Sequence, residues 1–193
     1  MRLAHGIPAQ HLPAAVQLYW QAFSGKLGRV MGPETRAMAF LRDVIHPDQA
    51  ITALGPDGRL LGLGGYRTPE AAFAGGTYAD LRRHYGGFGA FWREALLRQL
   101  GEDRVEPGQF LIDGLCVAAD SRGQGIGTAL VLALCEAGQA MGYGAARIDV
   151  VDSNPGAQAL YARLGFAVTR SHAIGPLRHV FGFRRALTML RPL

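Results

Sequence analysis

Arg122-Gly123-Gln124-Gly125-Ile126-Gly127-Thr128 is the stretch on which the fold of this chain turns. It stands between an apolar run, Phe110 to Val117, and a run of helical spacing, Ile126 to Met141, in which Ile126, Leu130 and Leu134 share one stripe. The stretch is therefore expected to carry a strand into the first turn of a helix. The first N–H groups of a helix have no partner within it, and that end of the helix dipole is positive. Glycines let an anion approach such amides with no Cβ in the way. A diphosphate is the natural guest. Two phosphate-binding patterns fail here. The dinucleotide fingerprint Gly-x-Gly-x-x-Gly, begun at Gly123, needs a third glycine where Thr128 stands. The P-loop needs a lysine before its Ser or Thr, and the stretch has none.

Outward from the turn, strands and helices alternate. Ala145 to Val151 is expected as a strand. Asn154 is expected to cap a helix that has Pro155 in its first position and Gly165 just past its end. Phe166 to Thr169 and Val180 to Leu190 follow as final strands. Toward the N-terminus, Arg2 to Ala4 suits a short strand, and Ala14 to Phe23 and Glu34 to Ile45 suit helices. Ala50 to Leu54 and Arg59 to Tyr66 form a hairpin around Gly55-Pro56-Asp57-Gly58. The whole predicts an α/β fold, a mixed sheet flanked by helices, in a single domain over residues 1–193. Phe110 to Val117, apolar on both faces, is expected at the sheet centre. Residues 69–108 interrupt the pattern as an insertion. Phe88, Phe91, Trp92, Ala95, Leu96 and Gln99 recur there on one helical face, which suits an extra helix packed on the core, a lid over an acceptor site, or a homodimer contact.

Arg122 to Gly127 has the form Arg-x-x-Gly-x-Gly. Leu111 to Val117 looks like a fourth strand, Asp149 to Asn154 like the end of a fifth, and Ala157 to Phe166 like an Asn…Ala…Tyr…Gly-Phe helix and its exit. Taken together, residues 110–166 resemble the GNAT superfamily of acyl-coenzyme A N-acyltransferases. The resemblance implies the GNAT fold with an insertion between the third and fourth strands. It also implies acetyl-CoA as co-substrate and direct acetyl transfer, in a ternary complex, to an amine of a small molecule or peptide. The cofactor residues it implies are Leu115, Cys116 and Val117, the turn Arg122, Gly123, Gln124, Gly125, Ile126, Gly127 and Thr128, and Asn154, Ala157 and Tyr161. The oxyanion donor would be the backbone amide of Cys116 or Val117, with Val117 preferred.

Tyr161 would protonate the leaving thiolate, although Ala157, Leu160, Tyr161 and Leu164 share a helical face and packing alone could explain the tyrosine. Asp113, a charge on a strand expected to be buried, is the candidate base or ammonium holder; a structural salt bridge is the alternative. Asp149 and Asp152 are weaker candidates. Asn154 could cap its helix, hold the pantetheine arm, or both, and Arg122 could reach a phosphate or lie in solvent. A non-catalytic acyl-CoA sensor is the competing function.

Composition excludes other classes. Of 193 residues, 49% are hydrophobic, enough for a packed core. The net charge of +5 comes almost wholly from scattered arginines, with Lys26 the only lysine, so no nucleic-acid surface is expected. Cys116 and Cys135 suit a reduced protein, and the histidines lack ligand spacing, so no metal is expected. The apolar runs are too short for a membrane span, and Met1 to Pro13 lacks the apolar core of a secretory signal. The expected compartment is the cytoplasm.

Overall fold

The computed structural model describes residues 1–98 and 105–193. After β1 (Arg2–His5), α1 (Leu12–Met31) opens with Pro13 in its first turn, where a missing N–H costs nothing. α1 does not end near Phe23, as expected, but continues through Gly25 and Gly28. Val30 and Met31 are buried at its far end, so packing outweighs the poor helix propensity of the two glycines. α2 (Glu34–Val44) and the hairpin of β2 (Ala50–Leu54) and β3 (Leu60–Arg67) fall where the sequence puts them.

α3 (Tyr78–Leu97) occupies the insertion, followed by β4 (Gln109–Val117), α4 (Ile126–Ala140), β5 (Ala145–Val151) and α5 (Pro155–Arg163). β6 (Ala167–Ala173), α6 (Arg178–Phe181) and β7 (Arg185–Pro192) complete the chain. The strand expected from Val180 thus begins only at Arg185. Phe181 and Phe183 are buried against α1, and Gly182, at φ 75°, turns the chain between them.

The seven strands form one sheet in the order β1-β2-β3-β4-β5-β7-β6, with β4 at the centre. β4 and β5 pair in parallel, and every other neighbouring pair is antiparallel. Apolar side chains gather in two clusters. One holds Trp20, Phe40 and Phe73 with α1, α2 and α3; the other holds Phe110, Leu130 and Leu134 with α4 and α5.

α3 starts well before Phe88, at a capping box of Thr77 and Asp80, and is broken at Gly86 (φ 72°, ψ 172°). The expected apolar face does not hold. Phe88 and Phe91 are 83% and 67% exposed, while Ala90 is buried and Trp92 and Leu96 are partly so. Gln99 lies outside the described residues. The break re-aims the second half, and polar bonds fasten the helix in place of that face. The Tyr85 hydroxyl donates to Met31 O at 2.6 Å, His84 meets Asp43 at 2.8 Å, and the Arg93 guanidinium lies 4.0 Å over the Tyr85 ring. No helix among the described residues is long and apolar enough to cross a membrane.

Candidate active site

β4 and β5 stay paired from Gln109–Ala145 to Ile112–Ile148, and their ladder stops there, while β5 remains bonded to β7 as far as Val151–Ala186. A bulge marks the point of divergence. The step from Leu63 to Gly65 in β3 faces the longer step from Cys116 to Asp113 in β4. Gly114, at φ 67°, sits in the bulge, and a Cβ there would come within 2.9 Å of Tyr19 and 3.0 Å of Phe73. Glycine is required on both counts.

The bulge also slips the side-chain phase. Phe110 and Ile112 point into the α4–α5 cluster, but beyond it Leu115 and Val117 do, and Cys116 points toward α1. Ala118 N donates to Leu61 O at 2.8 Å, so by strand alternation the Val117 N–H points away from β3, into the gap, and the Cys116 amide points toward β3.

The gap is a pocket of about 250 Å³ lined by Asp113, Leu115, Asp149, Asn154 and Tyr161, among others. A second groove, of about 620 Å³, runs along Val117, Arg122, Gly123, Gly125, Gly127 and Thr128. Leu115, Asn154, Ala157 and Tyr161 line both, so the two make one channel. At its outer end Gly123 and Gly125 take φ of 76° and 78°. The first α4 amide with a helical acceptor is Ala129, which donates to Gly125 O at 3.0 Å. The N–H groups of Ile126, Gly127 and Thr128 have no acceptor among the described residues. Arg59 anchors the approach to this turn, bonding Asp120 at 2.5 Å and Ser121 at 3.4 Å.

Of the residues proposed for cofactor binding, Leu115, Cys116, Val117, Arg122, Gly123, Gly125, Ile126, Gly127, Thr128, Asn154, Ala157 and Tyr161 line the groove. Gln124 does not; its side chain folds back onto Asp120 O at 3.4 Å. Arg122 donates through Nε to Val117 O at 3.3 Å, tying the strand exit to the turn. Asn154 caps α5, its side chain accepting from Ala157 N at 3.2 Å, and it also faces the channel. The Tyr161 ring is buried beside Phe166, and no described group bonds its hydroxyl. Asp113 lies 3.9 Å from Arg67 and is half-buried. Asp149 is engaged by Arg147 at 2.9 Å and by Thr188 at 2.7 Å, and Asp152 accepts from Arg184 N at 3.1 Å, so both serve the sheet.

Two residues of this channel carry no clear signal in the sequence. Lys26 and Arg67 line the gap, and Tyr19, which lines the neighbouring chamber, feels the charge of Asp113. Lys26 carried one signal, as the chain's only lysine, but it stands in the half of α1 that was not expected to be helical. Past Arg67 and Leu97, which line both spaces, lies a chamber of about 380 Å³ walled by Trp20, Met31, Phe40 and Leu81.

Burial pushes the Cys116 thiol from 9.0 up to about 12 and the Tyr161 phenol from 10.0 up to about 12, and it raises Tyr19 as well. These groups stay neutral in the folded chain at a pH where the unfolded chain ionises them. Their contribution to stability is complete below the unfolded values and is lost as pH rises toward the folded ones. The slope is about 1.4 kcal/mol per pH unit for each group ionised only in the unfolded state. The urea midpoint is therefore expected to be flat near neutrality and to fall from about pH 9 upward, with Cys116→Ala reducing an early fall to which Cys135, also raised by burial, contributes. An equal midpoint at about pH 8 and pH 10.5 would show that burial does not hold these groups neutral.

A sheet split beside a helix N-terminus, with a channel between, suits a long thioester cofactor lying across the end of the split. The chain belongs to the acetyltransferase (GNAT) family, whose family model matches residues 12–166. Solved structures of similar fold include an N-acetyltransferase from Staphylococcus aureus Mu50 (12% identical, TM-score 0.67, covering 99% of this chain and 100% of that one). Another is a GCN5-related N-acetyltransferase from Kribbella flavida (19%, TM-score 0.61, 100% and 97%). A third is a phosphinothricin acetyltransferase from Sinorhizobium meliloti, solved with AcCoA (19%, TM-score 0.62, 100% and 88%). At such identities the likeness is one of fold. No protein of curated function matches the chain by sequence. Among the described residues no group of three or more His, Cys, Asp or Glu side chains could hold a metal ion.

Proposed function

We propose that the protein is an acetyl-CoA-dependent N-acetyltransferase that moves the acetyl group directly to an amine of a small molecule or peptide within a ternary complex. The observation that carries this reading is the single channel joining the open amides of α4 to the β4–β5 gap, with Tyr161 lining both parts. The diphosphate of the cofactor rests on the N–H groups of Ile126, Gly127 and Thr128. The pantetheine arm follows Leu115 to Val117 as an added strand, beside Asn154 and Ala157.

The Val117 N–H then faces the thioester carbonyl and holds the oxyanion that develops as the amine attacks. Asp113 takes the ammonium and its proton, directly or through water. The C–S bond breaks, and the neutral Tyr161 phenol gives its proton to the leaving thiolate. A raised, buried Cys116 thiol is a poor nucleophile, which favours direct transfer over an acyl-cysteine. α3, whose Leu81 and Leu97 reach the inner chamber, serves as a cover for the acceptor. Its exposed Phe88 and Phe91 are where a second copy would dock.

Thiol release from acetyl-CoA across a broad panel of amines tests the proposal. Release that depends on an amine is expected. Tight cofactor binding with no release on any amine would move the protein to the sensor class.

A further inference from the structure

The acceptor end of the channel has a definite chemistry. Three charged side chains line the gap on its α1 side: Lys26 from α1, Arg67 from the end of β3 and Asp113 from β4. Asp113 and Arg67 are within 3.9 Å of each other, and Arg67 also donates to Ala74 O at 3.3 Å. Lys26 differs. It is half-buried, its nearest described ring is Phe23 at 5.8 Å, and no described carboxylate lies within ion-pair distance. Burial lowers its pKa, so the site holds an ammonium at a desolvation cost that an anion would offset.

The cationic character continues along α1. Arg29, one turn beyond Lys26, donates to His179 O and so fixes α6, with Arg178, beside it. Most side chains that line the chamber beyond Arg67 are apolar, though polar atoms make up about half of its exposed wall, and its 380 Å³ falls in the range of roughly 300–1,000 Å³ typical of small-molecule sites.

We infer that the acceptor is an amine carrying a carboxylate close to the nitrogen and a bulky apolar arm, the chemistry of a hydrophobic α-amino acid. Its ammonium lies on Asp113, its carboxylate against Lys26 and Arg67, and its arm in the chamber of Trp20, Phe40 and Leu81. This rests on the acetyltransferase reading and specifies its acceptor. A simple hydrophobic amine would leave Lys26 desolvated without a counter-charge. A polyamine would meet two cations at the gap and no second described carboxylate there except Asp149, which Arg147 and Thr188 already engage.

The test compares matched pairs, phenylalanine with phenethylamine and leucine with isoamylamine, by thiol release from acetyl-CoA. The amino acid of each pair is expected to have the higher kcat/KM by about ten- to hundredfold, the value of a bond between charged groups. Lys26→Met is expected to narrow that gap mainly through KM, and Lys26→Arg to restore it. Glycine, which has the charges without the arm, should be a poor acceptor. Equal or reversed preference within the pairs overturns the inference and leaves the acetyltransferase standing. So does vigorous release with spermidine and none with either amino acid. No release with any amine defeats both.

Discussion

Tyr161→Phe is expected to lower kcat by about a hundred- to a thousandfold, within the range of a general acid, with little change in the Kd for acetyl-CoA. The ring fills the α5 side of the channel against Phe166, and phenylalanine fills it equally. The hydroxyl has no described protein partner, so removing it strands no buried group and should cost little stability. What is lost is a phenol that burial pushes up to about 12, fully protonated at neutral pH and, on the proposed mechanism, the proton donor to the leaving thiolate. The same pKa means that Tyr161 should impose no falling limb on kcat below about pH 11 in the wild type. Steady-state kinetics with calorimetry of cofactor binding reads both parts. An undiminished kcat removes Tyr161 from the chemistry and leaves it a packing residue.

Gly127→Asp is expected to separate folding from cofactor binding. Gly127 is in the first turn of α4, and a Cβ there meets nothing nearer than Leu160 at 3.4 Å. A carboxylate in a first helical turn is favoured by the dipole by about 0.3–1 kcal/mol, so thermal stability should hold or rise. The same carboxylate would occupy the amide cradle and repel a diphosphate. At ~4 Å and an effective dielectric of about 20 the repulsion is about 4 kcal/mol, hundreds-fold in Kd. Gly127→Ala should bind almost normally. A Gly127→Asp protein that keeps wild-type affinity would mean that the diphosphate does not rest on this turn.

Much of this site was legible because its signals are local. The glycine turn, the Asn154-Pro155 cap and the α5 face each follow from a few neighbouring residues and the backbone rules that govern them. The resemblance implies the backbone amide of Cys116 or Val117, and only the alternation fixed by the Ala118–Leu61 bond points the Val117 N–H into the gap. The bulge behind it carries a local signal, Gly114 inside an apolar strand. The local pattern ends α1 at Phe23, whereas Val30 and Met31 hold its second half by burial against residues far along the chain. Spacing alone misplaces the α3 face: all of it lies beyond Gly86, and which side of that half meets the core is set by the elements it packs on, so Ala90 and Leu97 face in and Phe88 and Phe91 face out.

By itself the sequence determined most of the order of elements, the glycine turn that opens α4 and the place of Tyr161 on α5, since each depends on contacts among residues close in the chain. Only the tertiary structure decided where β4 leaves β5, and that Lys26, Arg67 and Asp113 meet in the gap that opens there. Those three come from separate elements, and their meeting depends on the bulge at Gly114 and on the packing of α1 across the sheet. No periodicity in a linear sequence encodes that.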